Sequence, residues 1–343
     1  MKTARVLQEL FARLPNMSSG PMILMAREGT VRDIPEWQAL HRSLGIPYSK
    51  AEWATLPQMW DDLLSSGRLK LFLVENRINP PGARLVSCCA AVFATDRFCI
   101  EACSFSPPFL GTQLVRRYRS GEAVMLSRPE IARANTKGGL NLVLCFEGPE
   151  RGALLGEHYL ALQQKRGEAF HLAIAGYRLK QFLANPIGEQ AYEETRDAGA
   201  ILRTDYAKVV FAGNGACPTH LRPRLVGLTK EEAEAHPGSY LSSLFVHNPP
   251  RFHFSRAEQK LLRSALSGET SEELAESLSV SRWTVKKRWQ AIYERVADVD
   301  RDLLPCSLAD GTYVHGRGAE RRRRLLGYLR QHPEELRPFQ IDE

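Results

Sequence analysis

The clearest pattern of apolar and polar positions lies between residues 254 and 296, where apolar side chains recur every three or four residues. That spacing indicates helices with one buried face, because successive turns of an α-helix bring such positions to the same side. Gly268 and the short run 279–281 interrupt the pattern, so we predict three short helices with a tight turn before the third. Capping-box pairs mark the starts of the first two helices: Ser255 with Glu258, and Thr270 with Glu273.

The third predicted helix, capped by Ser281, has two chemically different faces. Its apolar stripe should pack on the first two helices and consists of Val285, Trp289, Ile292 and Val296. The opposite face presents polar, aromatic and cationic side chains: Trp283, Lys286, Lys287, Gln290 and Glu294. Such a helix suits the major groove of DNA, where lysine can donate to guanine and glutamine can pair with adenine. Arg282 and Arg288 flank the stripe and would contact phosphates.

The run from Gly268 to Arg288 resembles the LuxR/GerE-type helix-turn-helix, whose pattern is G-x-S/T-N-K-E-I-A-x-x-L-x-I-S-x-x-T-V-K-x-H. The sequence departs from it where Ser271-Glu272 replaces Asn-Lys and where Arg288 replaces His. The resemblance implies that bases are read by Lys286, Lys287 and Gln290, and that a homodimer places two such helices one DNA turn apart. The expected DNA-binding residues are Arg282, Trp283, Thr284, Lys286, Lys287, Arg288 and Gln290.

Two other interpretations of these three helices stay open. A charged helix face is often only a solvated surface at the end of a domain. An exposed Trp283 would also suit a surface that docks another protein, which would make the unit an interaction module.

Earlier in the chain, apolar runs with strand character alternate with helical patterns, which predicts an α/β domain with a mixed sheet and covering helices. The predicted strands are Met22–Met25, Leu69–Val74, Arg84–Ala94, Gly139–Phe146 and Ala207–Phe211. The predicted helices cover 3–14, a segment starting near Asp33, 50–65, 127–135 and 156–185. Residues 139–146 are apolar at nearly every position, so this strand should be central and covered on both faces.

Pro and Gly residues in 237–251 indicate a linker, and the organisation that follows has three parts. Residues 1–245 form the α/β sensor or regulatory domain, and residues 251–300 form a small all-α helix-turn-helix domain. Residues 301–343 form a helical extension, in which the run Arg321–Arg324 either contacts DNA phosphates or lies on a solvated helix end.

The segment Ala26–Ile34, followed by a helix and two paired strands, resembles the opening of a GNAT acyltransferase. That family's Q/R-x-x-G-x-G/A signature, which cradles a pyrophosphate at a helix N-terminus, has no match here. The stretch Glu147–Gly156 has glycines at a different spacing, and Pro149 lacks an amide donor. Spacing assigns no partner to Glu101 or Glu147 as a general base. We therefore expect a regulatory domain rather than an enzyme; the alternative is a diverged acyltransferase-like enzyme with a DNA-binding tail.

Composition changes this interpretation little. The net charge of +7 mildly favours a polyanionic partner. The seven cysteines include no C-x-x-C pair, and Cys217 with His220 is too little for a metal site, so no cofactor or metal is expected. Without a signal peptide or an 18-residue apolar run, we expect a cytoplasmic protein with no membrane partner. Trp37, Trp53 and Trp60 are expected in the core, although a small-molecule effector pocket beside them stays open.

The sequence thus predicts a sequence-specific DNA-binding transcriptional regulator that acts as a homodimer. An α/β sensor or regulatory domain, for which a small-molecule effector stays open, is joined to a helix-turn-helix that binds double-stranded DNA.

Overall fold

The computed structural model of the chain describes residues 22–80, 82–104, 108–148, 157–206, 210–211, 215–216, 222–266, 268–304 and 317–340. The predicted helix at 3–14, the stretch 149–156 and the pair Cys217 and His220 lie outside these residues. Of the predicted strand Ala207–Phe211, the last two residues form a short strand, β7 (Val210–Phe211), which pairs with β8 (Gly215–Ala216).

A seven-stranded mixed sheet organises the described residues between 22 and 245. Its strands are β1 (Leu24–Glu28), β2 (Leu69–Asn76), β3 (Leu85–Ala94), β4 (Leu140–Gly148), β5 (Leu179–Ala184), β6 (Ile201–Asp205) and β9 (Arg224–Thr229). They are ordered β1-β2-β3-β4-β5-β9-β6. This confirms the predicted mixed sheet and the predicted strands at β2, β3 and β4.

Helices cover both faces of the sheet. They are α1 (Ile34–Ser43), α2 (Lys50–Ser66), α3 (Asp96–Cys103), α4 (Leu110–Arg119), α5 (Arg128–Thr136), α6 (Glu157–Ile174), α7 (Glu189–Asp197) and α8 (Lys230–Ala235). Alternate residues of β2 enter opposite cores: Leu71 and Leu73 pack with α1, α2 and α4, whereas Phe72 and Val74 pack with α6. Every residue of β3 is buried, as expected for a strand with a core on each side.

The single helical region predicted over 156–185 is wrong in its second half. Helix α6 ends at Ile174, and the chain then forms β5, which pairs with β4 and β9. Gly176 adopts a positive φ of 83°, which ends the helical path and turns the chain into the sheet. Apolar spacing alone did not show this, because Tyr177, Leu179 and Phe182 continue an apolar spacing that a helix could also produce.

Four α-helices lie in the described part of the chain after residue 250: α9 (Arg256–Leu266), α10 (Ser271–Ser277), α11 (Arg282–Val299) and α12 (Arg317–Gln331). A short 3-10 helix, Pro333–Leu336, follows them. The predicted stripe on α11 is buried: Val285, Trp289, Ile292 and Val296. It shares a core with Leu261 of α9, Leu274 of α10 and Leu325 of α12. The capping pairs Ser255–Glu258 and Thr270–Glu273 also form, which fixes the starts of α9 and α10.

Residues 333–340, which we name the C-terminal clip, fasten these helices to the α/β domain. Arg337 is 2% exposed and donates from Nη2 to Leu172 O (2.6 Å) and from Nε to Ala175 O (2.8 Å), at the end of α6. Its guanidinium lies over the ring of Tyr177, 5.0 Å from the centroid. On the other side, Gln259 of α9 donates to Arg337 O at 2.9 Å. The clip passes so close to Gly176 that a Cβ there would overlap the backbone of Glu334.

No helix in the part of the chain that the structure describes is both long enough and apolar enough to cross a membrane.

Candidate active site

The sheet opens between β4 and β5. These two strands are parallel, whereas each of the other described strand pairs is antiparallel. Their pairing runs from Leu140 opposite Leu179 to Val143 opposite Leu183 and then stops, although β4 continues to Gly148. From Leu144 onward, none of the described strands is paired with β4 on the side that faces β5. We call this opening the split.

A bulge in β4 shapes the split. On β3, Cys88 and Ala90 are two residues apart, but their partners on β4, Gly148 and Cys145, are three apart. One extra residue on β4 kinks the strand and increases its local twist. Phe146 lies at this place with a φ of 54°, a left-handed conformation that is uncommon for a residue with a side chain. Trp37 holds it there by donating from Nε1 to Phe146 O at 3.0 Å.

Two cavities meet the split, one on each face of the sheet, and Leu144 lines both of them. The small cavity, of about 20 Å³, lies on the side of α1 and α4. The large cavity, of about 600 Å³, lies between the sheet, α6 and α7. A ligand bound at the split can therefore be reached from both faces of the sheet.

The small cavity holds few polar groups, and each of them has a fixed position. The Tyr48 hydroxyl lies 3.1 Å from Nε2 of the buried His41. Burial raises the pKa of Tyr48 well above its usual value, so the hydroxyl stays protonated at neutral pH. Asn185 follows β5; its Oδ1 accepts from Leu110 N (2.6 Å) and its Nδ2 donates to Arg224 O (3.0 Å).

Gly111, in α4, sets the width of the small cavity. A Cβ at this position would lie 2.8 Å from the Tyr48 hydroxyl and 3.1 Å from the Phe146 ring. Glycine therefore allows the helix to approach the bulge closely enough to form the cavity wall.

The large cavity has a polar end and an aromatic end. At the polar end, Arg166 donates from Nη1 to Gln163 Oε1 at 3.1 Å, and Gln163 donates to Glu194 Oε2 at 3.3 Å. At the aromatic end, the ring of Phe170 lies 5.3 Å from that of Phe72 and 6.4 Å from that of Phe182. In the described part of the chain, no group of three or more His, Cys, Asp or Glu side chains is placed to hold a metal ion.

The residues predicted to bind DNA lie on α11, and none of them lines either described cavity. Trp283 is 64% exposed, and Lys287 Nζ lies 4.1 Å from its ring centroid. Arg282 forms an ion pair with Glu272 at 3.1 Å. Gln290 donates to Glu294 at 2.9 Å. Lys286 is exposed, whereas Thr284 and Arg288 are half-buried.

The side chains that the sequence singled out in the α/β domain differ in where the structure places them. Glu101 forms ion pairs with Arg97 and Arg117 and lines neither cavity. Trp37 and Trp60 are fully buried and stacked at 3.7 Å, which confirms that they are core residues. Sequence reasoning missed Tyr48, His41, Gly111 and Asn185, because they come from separate segments that only the folded sheet brings together.

No family model matches this chain, and no curated protein does, so membership of the LuxR family stays a prediction. Among solved structures, the C-terminal condensation domain of Ebony in complex with beta-alanyl-dopamine has a TM-score of 0.38 at 11% identity, with 61% of this chain and 100% of that chain covered. The N-acyl amino acid synthase FeeM from uncultured soil microbes has a TM-score of 0.35 at 9% identity, covering 66% and 98%. A mutant form of the spermidine/spermine N-acetyltransferase SpeG from Vibrio cholerae has a TM-score of 0.33 at 10% identity, covering 64% and 96%.

These matches contradict the prediction that the chain is not an enzyme, because N-acetyltransferases and an N-acyl amino acid synthase are among the structures that it resembles.

Proposed function

We propose that the α/β domain is an acyltransferase that moves an acyl group from a coenzyme A thioester to a nucleophilic acceptor. The observation that carries the proposal is the split, where β4 runs on beyond its last described pair with β5 and Leu144 lines a cavity on each face of the sheet. The pantetheine arm of coenzyme A is extended and contains amides, so it can lie along a strand in the way an added strand does. This interpretation agrees with the GNAT resemblance of residues 26–34 and with the diverged-acyltransferase alternative.

In the proposed reaction, the acceptor attacks the thioester carbonyl carbon, the new bond to the acyl group forms and the C–S bond breaks. The proton of the acceptor ends on the departing thiolate, so no other reactant is needed. The Tyr48 hydroxyl, held by His41, lies in the small cavity beside the bulge. As a protonated donor, it would stabilise the negative charge on the carbonyl oxygen or on the leaving sulfur.

The test is calorimetric binding of acetyl-CoA and longer acyl-CoAs to the full chain, followed by a thiol-release assay with a panel of amines. Leu144→Trp would fill the split and should weaken acyl-CoA binding at least tenfold. Ile100→Trp is the matched control, because Ile100 is 65% exposed on α3 and lines neither cavity. Absence of turnover with every donor and amine, or equal binding by both variants, would refute the proposal.

We also propose, as a second function, that α11 binds double-stranded DNA and that the chain is an acyltransferase-like enzyme with a DNA-binding tail acting as a homodimer. The supporting observation is the two-sidedness of α11: its apolar stripe is buried, while Trp283, Lys286, Lys287 and Gln290 are exposed. The helix can therefore present cationic and amide groups to a groove without losing its packing.

DNA readout can be tested by binding titrations on a selected site and on random DNA. Lys287→Ala or Gln290→Ala should cost about 1–3 kcal/mol on the best site and relax base preference there. Arg288→Ala should weaken binding to all sequences alike and reduce the salt slope by about one unit. Equal losses on specific and random DNA for all three variants would refute these roles.

A further inference from the structure

The large cavity is much bigger than an acetyl group requires. Its volume of about 600 Å³ lies within the range of whole ligand pockets, about 300–1,000 Å³. If a methylene takes roughly the volume of a water molecule, about 30 Å³, an acetyl methyl would fill only a small part of this space.

The two ends of the cavity differ in what they can bind. Seven residues along α6, about 10 Å of helix, separate Gln163 at the polar end from Phe170 at the aromatic end. A pantetheine arm would need hydrogen-bond partners for its amides along its whole length. The rings of Phe72, Phe170 and Phe182 do not supply them, but they suit an unbranched hydrocarbon chain.

The cavity is also placed to hold part of a donor that is bound at the split. Leu144, the first residue of β4 beyond the last pair with β5, is part of the cavity wall. A chain that enters at Leu144 can run between the sheet and α6 toward Phe72 and Val74, which lie on the same face of β2.

We infer that the large cavity binds a long, unbranched acyl chain, so that the donor is a long-chain rather than an acetyl thioester. The inference rests on the proposed acyl transfer for its biological meaning, but the cavity itself can be tested without turnover. Polar side chains at the α6–α7 end would face the water-exposed part of the ligand, and the hydrocarbon would lie against the aromatic end.

The probe is a series of saturated fatty acids from butanoate to dodecanoate, below their micellar concentrations, titrated calorimetrically into the full chain. Free fatty acids cannot be transferred, so the experiment reports on the cavity alone. Affinity should increase with length by up to about fourfold per methylene, the factor that corresponds to about 0.8 kcal/mol of apolar burial.

Ala191→Phe would fill the cavity from α7, because Ala191 is half-buried and part of its wall. This variant should lose dodecanoate binding at least tenfold. Glu193→Phe adds the same ring to the same helix at an exposed position outside the cavity wall and should leave binding unchanged. Circular dichroism of both variants checks that α7 and the domain remain folded.

The outcomes separate this inference from the proposed function. Affinity that is flat along the series, or unaffected by Ala191→Phe in a folded protein, would overturn the chain site even if acetyl-CoA is turned over. Displacement of dodecanoate by coenzyme A without an acyl group, at comparable concentration, would assign the cavity to pantetheine and also overturn it. Affinity that increases with chain length, without transfer of an acyl group from any acyl-CoA, would support the acyl-chain site and refute the proposed acyltransferase reaction.

Discussion

The α/β domain and the C-terminal helices bury apolar surface in different ways. The sheet separates two cores, one with α1, α2 and α4 and one with α6, and each includes residues from several strands. The four C-terminal helices share one smaller core, in which α11 contributes a single stripe. A small core depends strongly on each large side chain in it, whereas two cores on a sheet distribute the same burial over many contacts.

The largest effect should come from Trp289→Ala. Trp289 is 7% exposed in the helical core, and the Arg322 guanidinium lies 4.9 Å from its ring centroid. Removing the indole should cost roughly 3–5 kcal/mol, enough to unfold the C-terminal helices. Urea titration of the full chain followed by circular dichroism should then show an early loss of helix before the sheet unfolds.

Trp283→Ala is the control for this prediction, since the same residue type is removed from an exposed site on the same helix. It should leave the urea curve unchanged. A larger loss of stability for Trp283→Ala than for Trp289→Ala would show that α11 turns Trp283, not Trp289, toward the helical core.

Arg337→Ala should have a smaller effect but should act on both regions. It removes the donors that satisfy Leu172 O and Ala175 O at the end of α6 and leaves those carbonyls near a buried surface. We expect a loss of about 2–3 kcal/mol and a separation of the unfolding of the two regions into distinct steps. Arg330→Ala, at an exposed position of α12, should neither lower the stability nor separate the two unfolding steps. If the two regions still unfold together in Arg337→Ala, the clip does not couple them.

The smallest effect concerns the α/β domain alone and depends on pH. Burial by itself would raise the pKa of Glu52, but hydrogen bonds from Arg116 and Ser49 outweigh it and hold the pKa below the usual value of 4.5. A carboxyl whose pKa is lowered by folding stabilises the protein above its unfolded pKa and loses that contribution as the pH falls through the folded pKa.

Glu52→Gln should therefore flatten the decline in unfolding free energy below about pH 4.5, with little change in slope at neutral pH. Urea titrations between about pH 7 and about pH 3 measure this decline in the free energy of unfolding. Asp61→Asn, at an exposed position of the same helix, should keep the wild-type decline. Parallel curves for wild type and Glu52→Gln over the acidic range would contradict the assignment.

The contrast between the C-terminal helices and the α/β domain also explains how much of each could be predicted from the sequence. The stripe of α11 depends on residues three and four positions apart, so its burial follows from helical spacing alone. Strands β2, β3 and β4 were also visible as apolar runs between turn residues. The start of β5 was missed, because apolar residues continue on both sides of Gly176 and the change of direction depends on the positive φ of that glycine.

The candidate site could not be predicted in the same way. The place where β4 and β5 separate depends on a register shift opposite β3 and on the left-handed conformation of Phe146, and neither leaves a periodic pattern. Tyr48, Gly111 and Asn185 come from three distant segments, and their proximity follows from the strand order. A pattern that extends over a few residues does not determine pairing between distant strands.

The position of the C-terminal clip, late in the chain, also has a consequence for folding during translation. A ribosome releases α6 and the sheet well before residues 333–340, so the carbonyls of Leu172 and Ala175 first lie against solvent without Arg337. The surface around Tyr177 stays uncovered for the same interval. The nascent α/β domain would thus complete its packing only after α9 to α12 and the clip have been translated. A chain that terminates before the clip would expose the surface around Tyr177 to chaperones and proteases.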